Sequence, residues 1–242
     1  TVDTVIEELD RARRDIPEAE LFVLSEYCFD TPVPPAVCDW CARNRKYLVA
    51  GGKKPLNGDE FIDTAFVISP TGETVFEQGK SVPIQFFNDG LPARDQKLWE
   101  SPWGKIGIAI CYDLSYSRVI DRLVELGAQG LIIPTMDAVD WGEHQHWLHA
   151  HVAPIRAREY RIPIFRVASS GISQLVDAQG RERVTAPFPG QGERLHGRML
   201  LGATGSRPLD RFLAVPAVIA VGAFVSYLVV CNLRERFKPR SR

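Results

Sequence analysis

The sequence lacks any marked excess of charge. Its 242 residues include 29 Lys and Arg against 30 Asp and Glu, so the formal net charge is −1 and no overall basic field points to nucleic acid. Hydrophobic residues make up 45% of the chain and charged residues 24%, which excludes a disordered, collagen-like or coiled-coil protein. A compact chain of this size buries about 70% of its unfolded surface, so it needs no disulfide or metal to fold.

Cysteine is scarce too. The five cysteines are Cys28, Cys38, Cys41, Cys111 and Cys231. Because five is an odd number, at least one of them is free or lies in a membrane. Cys38 and Cys41 have the CxxC spacing, but one such pair without a second is weak evidence for a metal or redox site.

The N-terminus begins TVDTVIEEL, without Met, a signal peptide or an apolar segment. The longest apolar run stands at the other end, over residues 212–231, with 20 residues and no charge. As a helix it would rise about 30 Å, the thickness of a bilayer core. A buried core helix is the alternative, although such helices rarely run this far without a charge.

Charge is distributed unevenly around this run. From Arg211 onward there are six basic residues and one acidic residue, which leaves residues 1–210 with a net charge of −6. The positive-inside rule places the tail in the cytoplasm and the body outside. An exported body needs an export signal, so we expect the sequence to be a fragment of a longer protein. We predict a catalytic domain over 1–203, a linker over 204–211, a transmembrane helix over 212–231 and a basic cytoplasmic tail over 232–242.

The body alternates between helical and strand patterns. We predict helices over 5–14, 36–45 and 119–126, and strands over 21–25, 47–50, 65–69, 74–77, 106–110, 131–134, 162–168 and 174–176. The strand, helix and strand from 106 to 134 form a βαβ unit with parallel pairing. Pro154 should kink the helix between His146 and Tyr160. The predicted fold class is therefore α/β.

Three polar residues each stand at the end of a predicted strand: Glu26, Lys80 and Cys111. The carboxyl edge of an open α/β sheet is where ligands bind. A helix N-terminus lowers the pKa of a thiol placed at a strand-to-helix turn, and a carboxylate at this edge can act as a general base. Taken singly, each residue also has an ordinary interpretation: a buried small side chain, an exposed strand terminus or a solvated loop lysine.

Taken together, the order of these three residues resembles the carbon–nitrogen hydrolase (nitrilase) superfamily. The Glu lies in LSEYCF, the Lys in FEQGKSVP and the Cys in GIAICYDLSYSRVIDRLVELGAQGLIIPT. Segments after the Cys, among them 137–142 and 156–159, are similar to the extracytoplasmic domain of apolipoprotein N-acyltransferases, which precedes their last transmembrane helix. The resemblance covers about residues 4–231 and implies a nitrilase-like α-β-β-α sandwich followed by one transmembrane helix.

The resemblance also implies a mechanism. Cys111 attacks an ester or amide carbonyl, and Glu26 takes its proton. Lys80 and the backbone N–H of Tyr112 hold the oxyanion. The thioester that forms is then released to an amine or to water.

Further candidate residues surround this set. The family has another Glu after the Lys, in a Pro-Phe-Gly-Glu context, near which this chain has Asn88 and Asp89. Trp141 is a third candidate for binding substrate. His146 and His149 have i, i+3 spacing and are candidate metal ligands, but no Cys or carboxylate set completes a site, so we interpret them as one helix face. The resemblance implies no cofactor and no metal.

Three functions compete. The first is N-acylation of lipoproteins at the inner membrane, with a phospholipid acyl donor and a lipoprotein amine acceptor, which the apolar segment favours. The second is a membrane-tethered amidase or nitrilase-type hydrolase of small amides, which the missing second Glu favours. The third is a non-catalytic binding module on the same fold, against which the set of Glu26, Lys80 and Cys111 argues. None of them involves nucleic acid, and the oligomeric state stays open.

Overall fold

A computed structural model describes residues 1–85, 87–190 and 192–236. The chain divides into two compact units, one over Thr1–Ser206 and a second that begins at Arg207. In the described ranges the helices are α1 (Val2–Asp15), α2 (Pro35–Asn44), α3 (Ser117–Glu125), α4 (Glu143–Tyr160) and α5 (Asp210–Arg236). The strands are β1 (Leu21–Val23), β2 (Tyr47–Pro55), β3 (Phe61–Ile68), β4 (Thr74–Gly79), β5 (Leu98–Ser101), β6 (Gly104–Ile108), β7 (Gly130–Thr135), β8 (Ile164–Ala168), β9 (Ser173–Val176) and β10 (Glu182–Ala186).

The first unit contains two sheets. One has the strand order β1-β2-β3-β4, and the other has the order β10-β9-β8-β7-β6-β5. The pairs β1–β2, β6–β7 and β7–β8 are parallel. Since α3 connects the parallel neighbours β6 and β7, the predicted βαβ unit is confirmed.

Three apolar clusters hold the layers of the first unit together. The cluster around Trp40 joins α1 and α2 to the four-stranded sheet. A second cluster, which includes Ile108, fills the space between the two sheets. The third, around Leu123, joins α3 and α4 to the six-stranded sheet. This order of helix, sheet, sheet and helix is the predicted α-β-β-α sandwich.

The sequence of α3 shows why these elements form where they do. Its residues Val119, Ile120, Leu123 and Val124 recur at helical spacing, and all four are buried. Gly127 follows the helix with a φ of +101°, a left-handed conformation that glycine adopts without a Cβ penalty. The apolar stripe and the glycine together set the position of the helix.

Several boundaries differ from the prediction. β2 does not end at Ala50, as predicted, but runs on to Pro55, because its pairing with β3 continues that far. A Cβ on Gly51 would lie 2.6 Å from the Cα of Glu26, so this glycine permits a close approach of two segments. The predictions omit β5 and β10, which are short. α4 runs through Pro154 as one helix from Glu143 to Tyr160, and the kink at Pro154 stays a prediction.

The stretch predicted as a linker is not uniform. Gly205 N donates to Ala128 O at 2.8 Å, and Ser206 N donates to Tyr160 O at 3.0 Å, so residues beyond 203 still belong to the first unit. In the second unit, Asp210–Leu233 is long and apolar enough to cross a membrane, and its most apolar stretch has no buried residue. Residues 237–242 of the predicted tail lie outside the described residues.

Candidate active site

Cys111 sits at a sharp bend just beyond β6. It opens a 3₁₀ turn over Cys111–Ser115 with a φ of +50°, a conformation that is uncommon for any residue but glycine. Its side chain is 1% exposed, and Sγ donates to Met136 O at 3.6 Å. The turn therefore presents the sulfur to the interior of the sandwich.

The surroundings of the Cys111 thiol favour its protonated form. Burial, followed by the negative charge of Glu26, raises the pKa of Cys111 well above its usual range, and the positive charge of Lys80 only partly opposes this. The expectation of a lowered thiol pKa is wrong, because α3 begins only at Ser117 and loss of hydration dominates. The sulfur therefore needs a base before it can act as a nucleophile.

Glu26 provides a carboxylate beside that sulfur. It follows β1 and is 2% exposed. Its Oε1 accepts from Lys80 Nζ at 2.6 Å, and its Oε2 accepts from Met136 N at 2.6 Å. The backbone of Met136 thus contacts both the carboxylate of Glu26 and the thiol of Cys111.

Lys80 lies among three buried carboxylates, and we name the group of Glu26, Asp63, Lys80 and Asp89 the lysine cluster. Lys80 Nζ lies 2.8 Å from Asp89 Oδ2 and 3.6 Å from Asp63 Oδ2. Burial alone would lower the pKa of Lys80, but its anionic neighbours, Glu26 first, raise it. The carboxylate oxygens lie within 4.8 Å of one another, and the cation placed among them is the Lys80 ammonium.

Asp89 and Asn88 were both candidates for the position after the Lys. Asp89 is buried, whereas Asn88 is exposed. Asp89 Oδ1 accepts from Tyr27 Oη at 2.7 Å, and its Oδ2 accepts from Ile84 N at 2.6 Å as well as pairing with Lys80. A carboxylate therefore reaches Lys80 from the segment where the resemblance implies a further Glu.

Asp113 has no role in the sequence predictions, yet it fixes the turn. Its carboxylate accepts from the backbone N–H groups of Ser81, Val82 and Ile110 at 3.0, 2.8 and 3.2 Å. Burial raises the pKa of Asp113 to about 6, although these hydrogen bonds oppose the shift. The residue ties the segment after Lys80 to the turn of Cys111. An acidic residue in the apolar run IAICYDL was the available signal.

The remaining candidates lie farther from this set. The ring of Tyr112 is 37% exposed and packs edge-on against Tyr116, with centroids 5.0 Å apart. The role predicted for Tyr112 belongs to its backbone N–H and stays a prediction. Trp141 stacks on His146, with centroids 6.5 Å apart. Phe188 lies 3.8 Å from the same imidazole, so His146 is a packed core side chain.

A second buried ionic group follows Met136, and we name Asp137, His149 and Arg166 the arginine cluster. Arg166 Nη2 donates to Asp137 Oδ2 at 2.8 Å, and His149 Nδ1 donates to Asp137 Oδ1 at 2.7 Å. Burial alone would raise the pKa of Asp137, but the His149 hydrogen bond and the Arg166 charge lower it to about 2. The candidate metal ligand His149 is thus engaged in an ion-pair network.

A buried thiol between the layers of an α-β-β-α sandwich, beside a carboxylate and an ammonium, defines the nitrilase-like class of enzymes. The carbon-nitrogen hydrolase family model matches residues 13–190, more than half of the chain, so the protein belongs to this family. Acyltransferases and amidases are among the relatives that this chain resembles.

Two curated relatives represent these two activities. The apolipoprotein N-acyltransferase of Geobacter metallireducens is 26% identical over 162 residues, which cover 59% of this chain and 31% of that enzyme. The deaminated glutathione amidase of Dictyostelium discoideum is 28% identical over 151 residues, 55% of this chain and 50% of that enzyme. The matches therefore span no more than half the length of either relative.

A solved structure shows the same fold. The carbon-nitrogen hydrolase from Helicobacter pylori G27 superposes with a TM-score of 0.67 at 17% identity and covers 77% of this chain and 80% of its own. At this identity the likeness concerns the fold alone.

Proposed function

We propose that the protein transfers acyl groups through a thioester on Cys111. The observation that best supports this proposal is that the backbone of Met136 contacts both Glu26 and Cys111, while Lys80 pairs with the same Glu26. A base, a nucleophile and a cation are thereby held in one closed space. Acyl transfer through a thioester requires these three kinds of group, with the base next to the thiol that it deprotonates.

The first half of the reaction forms the thioester. Glu26 takes the proton of the Cys111 thiol, and the sulfur attacks the carbonyl carbon of the donor. Lys80 and the N–H of Tyr112 stabilise the oxyanion. When the tetrahedral intermediate collapses, the leaving group takes the proton from Glu26 and departs, and the acyl group stays on sulfur.

The second half releases the acyl group. An incoming amine gives a proton to Glu26 and attacks the thioester carbonyl carbon. The sulfur leaves as a thiolate, takes the proton from Glu26, and restores the resting thiol. Asp89 keeps Lys80 in place during both halves, since it pairs with the ammonium at 2.8 Å.

A phospholipid is the proposed acyl donor and the amino group of a lipoprotein the proposed acceptor. The similarity to apolipoprotein N-acyltransferases supports this choice, and so does the apolar helix Asp210–Leu233. In this proposal the helix anchors the protein in the inner membrane, the tail is cytoplasmic and the first unit is extracytoplasmic. An anchor brings the site and its lipid donor to a high local concentration.

Hydrolysis of a small amide is the second candidate function. The similarity to the deaminated glutathione amidase favours it. The same residues would serve, with water replacing the amine in the second half. The two functions therefore differ only in what accepts the acyl group.

The test uses the full chain in mixed micelles with a phospholipid and a lipopeptide that bears a free N-terminal amine. With both substrates present, we expect an acylated lipopeptide. When the lipopeptide is left out, we expect an acyl adduct on Cys111, which mass spectrometry of the proteolytic fragment that contains Cys111 detects. Cys111→Ala should form neither, whereas Cys231→Ala should form both. Release of free fatty acid alone would favour the hydrolase, and an adduct that survives in Cys111→Ala would overturn the mechanism.

A further inference from the structure

Asp63 is a third buried carboxylate beside Lys80, and the proposed mechanism does not use it. It lies in the middle of β3 and is 0% exposed. The lysine cluster thus combines three carboxylates with one ammonium. If all three carboxylates were ionised, a closed space would hold two uncompensated negative charges, which the low dielectric of a protein interior strongly disfavours.

The three carboxylates differ in the hydrogen bonds they accept. Glu26 has one donor on each oxygen, and Asp89 has Tyr27 on one oxygen with Ile84 N and Lys80 on the other. Neither oxygen of Asp63 has a hydrogen-bond partner within the described part of the chain. Donors stabilise an ionised carboxylate, so Asp63 is the member of the cluster with the least support for a negative charge.

We propose that Asp63 carries a proton in the resting protein and acts as a positioning residue that leaves Glu26 ionised. Its proton can point to Glu26, which turns a contact between two anions into a hydrogen bond. In line with this, burial raises the pKa of Asp63 well above its usual range, and the negative charge of the neighbouring Glu26 raises it further. The charged or titratable groups that face Asp63 are Glu26, Tyr27, Lys80 and Asp89.

The protonated Asp63 has a consequence for the proposed reaction. With this proton in place, the cluster holds two anions and one cation. When Glu26 takes the Cys111 proton, a negative charge leaves the carboxylate and appears on sulfur. The total charge of the closed space does not change during this step. An ionised Asp63 would instead compete with Glu26 for the proton.

The proton can be observed directly by infrared spectroscopy, whatever the protein's substrate. At about pH 8, the wild-type protein should show the C=O stretch of a protonated carboxyl, and Asp63→Asn should lack it. Asp113→Asn is the matched control, since Asp113 is equally buried but has a pKa of about 6 and is ionised at that pH. The Asp113→Asn variant should therefore keep the C=O band of the protonated carboxyl.

A wild-type spectrum without this band, or a band that persists in Asp63→Asn, would overturn the proposal. If Asp63→Asn does not fold, carbon-13 NMR of wild-type protein labelled at its Asp carboxyl groups answers the same question. A single Asp signal of the protonated type at this pH is expected, and none would count against the proposal.

The positioning role rests on the proposed function and needs an activity readout. Asp63→Ala should lower kcat/KM by at least about tenfold, and Asp63→Asn should recover most of that loss. The acid limb of the pH profile should stay in place in Asp63→Asn, because one neutral group replaces another. A shift of that limb to lower pH would show that Asp63 had been ionised. If no acyl transfer occurs at all, the infrared result still shows whether Asp63 is protonated.

Discussion

The lysine cluster and the arginine cluster are both buried, yet they balance charge in opposite ways. In the arginine cluster, one carboxylate accepts from a guanidinium and an imidazole, and its pKa falls to about 2. In the lysine cluster, three carboxylates share one ammonium. The first arrangement is typical of a network that holds a loop, and the second of a site whose charges are set for chemistry.

Glu26→Gln should have the largest effect, and it tests whether the lysine cluster serves the reaction and not stability. The variant keeps an acceptor for Met136 N but cannot take the thiol proton, so acyl transfer should fall by at least about 10²- to 10⁴-fold. The free energy of unfolding should fall by no more than about 1 kcal/mol, because Asp89 still neutralises Lys80. Single-turnover kinetics and denaturant titration measure the two effects.

The activity and the stability of Glu26→Gln must be measured on the same protein, because their ratio separates a catalytic role from a structural one. A stability loss as large as the activity loss would mean that Glu26 is a structural residue. Near-normal turnover would mean that another group takes the proton.

The reverse result is expected from the arginine cluster with Arg166→Met. Removal of the guanidinium leaves the buried Asp137 without its permanently charged partner, which should lower the free energy of unfolding by about 3–5 kcal/mol. Arg183→Met is the control, since Arg183 pairs with Asp177 at the surface, where such pairs contribute at most about 1 kcal/mol. Equal losses in the two variants would remove the distinction between the clusters.

The smallest expected effect is the pH dependence of the free energy of unfolding that Asp137 causes. Because the pKa of Asp137 is about 2 in the folded protein and about 3.9 in an unfolded chain, its contribution of roughly 2–3 kcal/mol is present above pH 4 or so and is lost as pH falls toward about 2. Asp137→Asn should lack this part of the acid dependence. The difference between the two stability curves measures it, and parallel curves would contradict the assignment.

The sequence carries enough information for the layers of the fold and for three of the residues at the site. Glu26, Lys80 and Cys111 are visible because each comes just after a predicted strand, although the strands that precede them belong to two different sheets. The long apolar strands and α3 are visible from their periodicity. β10 is not, because its residues ERVTA are mostly polar and its pairing with β9 is non-local.

Asp63 and Cys111 show what the sequence could not reveal. Asp63 lies inside an apolar strand, FIDTAFVI, and nothing in that pattern says that its neighbours across space are two more carboxylates. The shift of the thiol pKa is similar. Proximity to a helix start suggested a lower value, but the depth of Cys111 is a property of the packed layers and reverses the sign.

Gly51 constrains the candidate site although it has no reactive group of its own. The space that its missing side chain leaves is filled by the backbone of Ser25 and Glu26, with a hypothetical Cβ only 2.6 Å from the latter's Cα. Any larger residue at 51 would displace the proposed base while β2 could still pair with β3. A substitution at Gly51 should therefore reduce activity as a substitution of the proposed nucleophile does, and a survey of activity alone could not tell the two apart.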